Sequence, residues 1–124
     1  MYDFTDRELD VMSVLWRLSS GTVTEVRDQL TEPFAYTTVL TVLRTLEAKG
    51  KVRHEDEGKA HRYFPTVARE AAGLSGVRRL VDKVFAGSTE TLMTHLVSDK
   101  RLTREKLLEM RALLDERLKK GGGR

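Results

Sequence analysis

Between positions 36 and 62 this chain gathers side chains suited to binding a polyanion rather than to making or breaking bonds. At about 100° per residue on a helix, Val39, Val42, Leu43 and Leu46 fall on one side and Thr37, Thr38, Thr41, Arg44 and Thr45 on the other. Lys and Glu are the usual solvent-facing residues of a helix, whereas β-branched threonines are mediocre helix formers and gain nothing there. Short hydroxyl side chains do let a helix lie deep in a DNA major groove, where they hydrogen-bond bases or phosphates and offer methyl groups to thymine. Arg44 then suits a bidentate contact to guanine or, alternatively, a phosphate clamp. A merely solvated threonine face is the competing reading. Tyr36 likewise suits either a phosphate hydrogen bond or a half-buried ring packed where the helix begins.

Further along, Arg53, Lys59 and Arg62 are expected to meet the sugar-phosphate backbone from the base of a β-hairpin, with the acidic tip Glu55, Asp56 and Glu57 left in solvent. Catalytic patterns fail. His54 and Glu55 open like the HExxH zinc-protease motif, but Gly58 stands where the second histidine belongs. No glycine-rich phosphate loop or GxSxG elbow occurs. His54, His61 and His95 lack a short ligand spacing, and with no cysteine in the chain they read as structural. The expectation is a protein that is not an enzyme and has no metal site and no cofactor.

The elements that must position these residues are legible from caps and breakers. Thr5 with Glu8 and Thr22 with Glu25 are two capping boxes, each opening a helix. Leu9, Met12, Leu15 and Trp16 are expected to point inward from the first helix, and Val23, Val26 and Leu30 from the second. Ser19, Ser20 and Gly21 break the first pattern, and Pro33 the second. A third helix is predicted over 35–49, with Gly50 as its left-handed stop. Residues 52–54 and 61–64 read as hairpin strands around a polar turn containing Gly58. Three helices and a hairpin with connections too short for βαβ units form a winged helix-turn-helix, so the fold class is mainly α with a small β-hairpin wing.

After Pro65 the pattern is helical throughout. Val77, Leu80, Val81, Val84 and Phe85 make one apolar stripe, Leu92, Met93, Leu96 and Val97 a second, and Leu107, Met110, Leu114 and Leu118 a third. Such short helices have too little mass to bury these faces alone, so either a second copy covers them, giving a homodimer, or they fold back on the N-terminal half. The domains are expected at 1–66 for DNA binding and 67–120 for helical dimerisation, with 121–124 as a flexible glycine tail. Net charge +3 and a pI near 9.3 permit nucleic-acid binding, but acids such as Asp3, Asp6, Glu8, Asp10, Glu25, Asp28 and Glu32 crowd the N-terminal half. Any DNA-binding face must therefore be local. No apolar run reaches the roughly 20 residues of a membrane span, and Met1, Tyr2, Asp3 and Phe4 do not open a signal peptide, so a cytoplasmic protein is expected. A winged-helix protein-interaction module that reads no DNA is the alternative function; it would more naturally show Leu, Met or aromatic groups in place of the threonines.

Four segments carry a family resemblance: Thr5 to Trp16 (TDRELDVMSVLW), Thr22 to Val26 (TVTEV), Ala35 to Gly50 (AYTTVLTVLRTLEAKG) and His61 to Pro65 (HRYFP). With these the chain resembles the BlaI/MecI/CopY family of bacterial penicillinase repressors over nearly its whole length. The resemblance implies a transcriptional repressor that binds palindromic double-stranded operator DNA as a homodimer. It places the recognition helix at Tyr36 to Lys49 and implies intertwined C-terminal helices. It also implies a sensor protease as a further partner, cutting an Asn-Phe bond in the dimerisation region. That position reads His95-Leu96 here, and the chain contains no asparagine. The copper-sensing branch uses C-terminal cysteines, which this chain lacks, so that sensing mechanism is excluded.

Overall fold

The computed structural model describes residues 4–121, and the chain divides into two compact units, residues 1–78 and 79–124. The first unit holds α1 (Asp6–Leu18), β1 (Gly21–Thr22), α2 (Val23–Gln29), α3 (Tyr36–Ala48), β2 (Val52–Glu57) and β3 (Ala60–Pro65). α4 (Arg69–Lys83) begins in it and ends in the second unit, which also contains α5 (Thr89–Val97) and α6 (Arg104–Lys120).

Both capping boxes form. The Thr5 hydroxyl accepts from the Glu8 amide while the Glu8 carboxylate accepts from the Thr5 amide, and Thr22 and Glu25 repeat the exchange at α2. Ser19, in the left-handed region at φ 74°, closes α1, and Gly50 at φ 76° follows the last turn of α3. The core of the unit is Val11, Met12, Val14 and Leu15 of α1, Val23 and Val26 of α2, Val39, Val42, Leu43 and Leu46 of α3, and Val52 and Tyr63 of the sheet.

The inward stripe of α1 differs from the expected one. Leu9 is 42% exposed, because the buried positions of α1 are 8, 11, 12, 14 and 15, which contain an i, i+3, i+4, i+7 series starting at Glu8. Glu8 is 4% exposed and is compensated by Lys49, whose Nζ lies 3.0 and 2.9 Å from the two carboxylate oxygens. Burial alone would raise the Glu8 pKa; the Lys49 ammonium and the Thr5 amide outweigh it and hold the carboxyl below its ordinary value. This pair ties the start of α1 to the end of α3. Trp16 is half-buried, and its indole N–H donates to the Val67 carbonyl at 2.8 Å.

The sheet has three strands, in the order β1-β3-β2, all antiparallel. β1 is only two residues long, too short to leave a periodic signal, and it pairs Gly21 with Tyr63 and Thr22 with Arg62. A Cβ on Gly21 would stand 3.0 Å from Val26 Cγ2, so a side chain here would have to push Val26 aside. The hairpin is longer than expected. Glu55, Asp56 and Glu57 belong to β2 and remain exposed to solvent as expected, each beside a polar partner: Arg53 lies 2.6 Å from Glu55, His61 Nδ1 2.9 Å from Asp56, and Arg62 2.9 Å from Glu57. The turn is left with Gly58 and Lys59, and Gly58 takes φ 63°, which suits the first position of a two-residue hairpin loop.

In the second unit, Val81 is buried and the Phe85 ring lies 5.0 Å from that of His95. Ser88 and Thr103 cap α5 and α6, accepting from the Thr91 and Lys106 amides. Gly121 ends α6; the remaining tail residues Gly122, Gly123 and Arg124 lie outside the described residues. Among the described residues no helix is long and apolar enough to cross a membrane.

Candidate nucleic-acid interface

α3 is two-faced. Val39, Val42, Leu43 and Leu46 are buried, while Tyr36, Thr37, Thr41, Arg44 and Thr45 are exposed and Thr38 is half-buried. The phenol ring of Tyr36 stands out at the first turn, 46% exposed. Two of the hydroxyls are already engaged: Thr41 Oγ1 donates to the Thr37 carbonyl and Thr45 Oγ1 to the Thr41 carbonyl, both at 2.9 Å. Their protons spent on the helix, these threonines present methyl groups and acceptor lone pairs outward. That chemistry complements thymine methyls and the amino groups of adenine and cytosine. Among the described residues Arg44 enters no ion pair and no side-chain hydrogen bond, so its fork of donors is available to a ligand.

Arg7 of α1 was not singled out from the sequence, yet it lines a shallow depression with Thr37, Thr38, Thr41 and Val42. Its guanidinium stacks over Phe34, 4.9 Å from the ring centroid. No sequence spacing links positions 7 and 37; only the packing of α1 across α3 does.

The cations of the wing have separate fates. Lys59 sits exposed in the turn. Arg53 is exposed too, pairing with Glu55 and stacking over Phe64 at 4.4 Å. Arg62 is spoken for: its guanidinium donates to both oxygens of Glu25, at 2.9 and 3.1 Å, and to both oxygens of Glu57, at 2.9 Å each, with Ser20 Oγ at 3.2 Å. Those two carboxylates raise the Arg62 pKa, and Arg62 in turn holds both glutamates below the usual carboxylate range. Arg62 therefore welds the first turn of α2 to the wing.

The penicillinase repressor family model matches residues 4–116, spanning both units. The chain belongs to the penicillinase repressor family. Members of this family are transcriptional repressors. This family member is 38% identical to the transcriptional regulator BlaI of Mycobacterium tuberculosis over 97 residues, 74% of this chain and 70% of that protein. It is 25% identical to the penicillinase repressor of Bacillus licheniformis over 114 residues, covering 90% of this chain and 89% of that one. Among solved structures, the DNA-binding domain of the repressor BlaI superposes at a TM-score of 0.50 with 35% identity, over 54% of this chain and 84% of that domain. Escherichia coli MarR, at 20% identity and a TM-score of 0.55 over 94% of this chain and 79% of that one, shares the fold. The winged-helix architecture of this penicillinase repressor homologue thus agrees with the expected fold class.

The sequence-predicted dimerisation residues of this family member fall on α4, α5, α6 and the turn after α4. Val77, Leu80, Val84, Leu96, Leu107 and Leu114 are exposed, together with Leu113 at 71% and Leu118 at 70%. Phe85, Leu92, Met93 and Met110 are half-buried, and Val81 is buried.

Proposed function

We propose that this chain represses transcription by binding palindromic operator DNA as a homodimer, with α3 in the major groove. The observation that carries the reading is the composition of the outward face of α3: threonine methyls and lone pairs beside an arginine that forms no ion pair or side-chain hydrogen bond among the described residues, all backed by a buried opposite face. In this reading Thr37, Thr38, Thr41 and Thr45 contact base edges, Arg44 reads guanine, and Tyr36, Arg53 and Lys59 hold phosphates. Arg62 contributes by positioning: four hydrogen bonds to Glu25 and Glu57 keep the wing in place beside the duplex. The similarity to BlaI, whose DNA-binding domain shares this fold, supports the same reading.

Residues 1–66 serve as the DNA-binding domain and 67–120 as the dimerisation domain. Support for the dimer is the exposure of Val84, Leu113, Leu114 and Leu118, apolar groups that gain about 25 cal/mol for each Å² removed from water. A sensor protease is a further partner suggested by the family resemblance. Its cut would have to differ from Asn-Phe, and His95 and Leu96 at the corresponding place are both exposed on α5.

The test is a gel-shift titration of the full chain on duplexes enriched from genomic fragments, against random duplexes of equal length at the same salt concentration. Preference for the enriched duplex by about 10³ or more supports the reading. Equal affinity for both would overturn it in favour of a winged-helix module that docks on protein.

A further inference from the structure

We propose that the wing binds a divalent first-row transition-metal ion, Zn²⁺ in the simplest case, through His54, Asp56 and His61. The hairpin register creates this group. His54 and Asp56 are two apart on β2 and so share a face, and β3 sets His61 directly opposite Asp56 and Tyr63 directly opposite His54. The His54 and His61 rings stand 4.3 Å apart, and one ligand atom from each of His54, Asp56 and His61 falls within 4.8 Å of the others. Ligands at about 2.0–2.2 Å from a tetrahedral Zn²⁺ lie about 3.3–3.6 Å from one another, so closure requires rotation of exposed side chains while the strand ladder stays fixed.

Glu47 of α3 completes the arrangement. Its carboxylate oxygens lie 2.9 and 2.6 Å from His54 Nδ1. A carboxylate can only accept, so Nδ1 donates to Glu47, and in the neutral ring this leaves Nε2 as the nitrogen with the lone pair that a metal needs. A carboxylate behind a ligating imidazole is the usual way such a ring is oriented and its basicity raised. Two imidazoles and a carboxylate, with no thiolate, suit Zn²⁺, Ni²⁺ or Cu²⁺ and exclude the all-oxygen preference of Mg²⁺ and Ca²⁺. The third histidine, His95, lies on α5 against Phe85 and is not in the group. His61 joins His54 and Asp56 only through strand pairing, which sequence spacing does not reveal. Glu47 lies one turn beyond Arg44 on α3, so an ion held here would stiffen the wing against the helix proposed to read DNA; this clause alone rests on that proposed function.

The test uses untagged, chelator-washed full-length protein without DNA. Zn²⁺ is titrated in competition with a chromogenic chelator, and Co²⁺ is read by its visible absorption. One ion per chain is expected, with the intense bands of low-coordinate Co²⁺. His54→Ala and His61→Gln should each weaken binding by at least about tenfold, Glu47→Gln by on the order of tenfold with the stoichiometry kept, and His95→Ala should have no effect. Urea unfolding followed by Trp16 fluorescence verifies that each variant is folded. No competition with the chelator, or binding that is unchanged in both His54→Ala and His61→Gln, would overturn the proposal. Neither result bears on DNA recognition, which the gel shift tests separately.

Discussion

Replacing Lys49 by methionine removes one charge while keeping an unbranched stem, and it isolates the link between α1 and α3. In the native protein the Glu8 side chain is 5% exposed and Lys49 41% exposed, with 2.9 Å between Oε2 and Nζ. Breaking a wholly buried ion pair costs about 3–5 kcal/mol, and an exposed pair is worth about 0–1 kcal/mol. Here one end is buried and the other is partly screened by water, so a loss of about 1–3 kcal/mol is expected. The Thr5 amide still donates to the stranded carboxylate at 2.9 Å, which keeps the cost below the upper limit. Trp16, the single tryptophan, lies on α1 and reports urea unfolding of the first unit by fluorescence. In a unit of this size each kcal/mol moves Tm by about 4–8 °C. The pH dependence supplies a second check. Because the native pKa of Glu8 is lowered, its ionisation stabilises the fold above the ordinary carboxylate range, and that contribution is lost as pH falls through the native value. The gap between wild type and Lys49→Met should therefore close in acid. A variant within about 0.5 kcal/mol of wild type at pH 7, or a gap that persists at acid pH, would refute the assignment to the ion pair.

Arg44→Ala should cost about 1–3 kcal/mol on the preferred duplex and relax preference at one base pair of each half-site, measured by competition gel shift. Equal loss on random DNA would reassign Arg44 to phosphate. Arg53→Ala and Lys59→Ala should each lower the slope of log K against log salt by about one, whereas Arg62→Ala should leave the slope unchanged and speed hydrogen exchange across β2 and β3. A reduced slope for Arg62→Ala would return that residue to the phosphate contacts. Leu114→Glu, placing a charge in the proposed dimer face, should shift the protein toward monomer in light scattering and weaken operator binding with it. A dimer of undiminished strength would put the interface elsewhere.

The readable parts of the structure were those set by local chemistry. Threonine and glutamate three apart fixed two helix starts, Gly50 fixed the end of a third, and the separation of valine and leucine from threonine on α3 fixed which side faces outward. Features that depend on partners distant in sequence were not legible. Glu8 occupies a core position that periodicity assigned to Leu9, since nothing near residue 8 announces Lys49 forty-one positions later. The acids at 55–57 are solvated as expected, but they lie within β2, since the strand ladder runs on to Glu57 and Ala60. The Arg62 contact to Glu25 was not legible for the same reason, the two being thirty-seven positions apart.

The central claim, that α3 lies in the major groove with Arg44 on guanine, is tested most directly by methylation interference on the preferred duplex. Methylating guanine N7 blocks the major groove at single positions. Interference is expected at symmetric guanines whose half-site centres are about one helical turn, or a small multiple of it, apart. Arg44→Ala is further expected to become indifferent to methylation at one guanine of each half-site. Binding that ignores N7 methylation throughout would contradict this placement of α3.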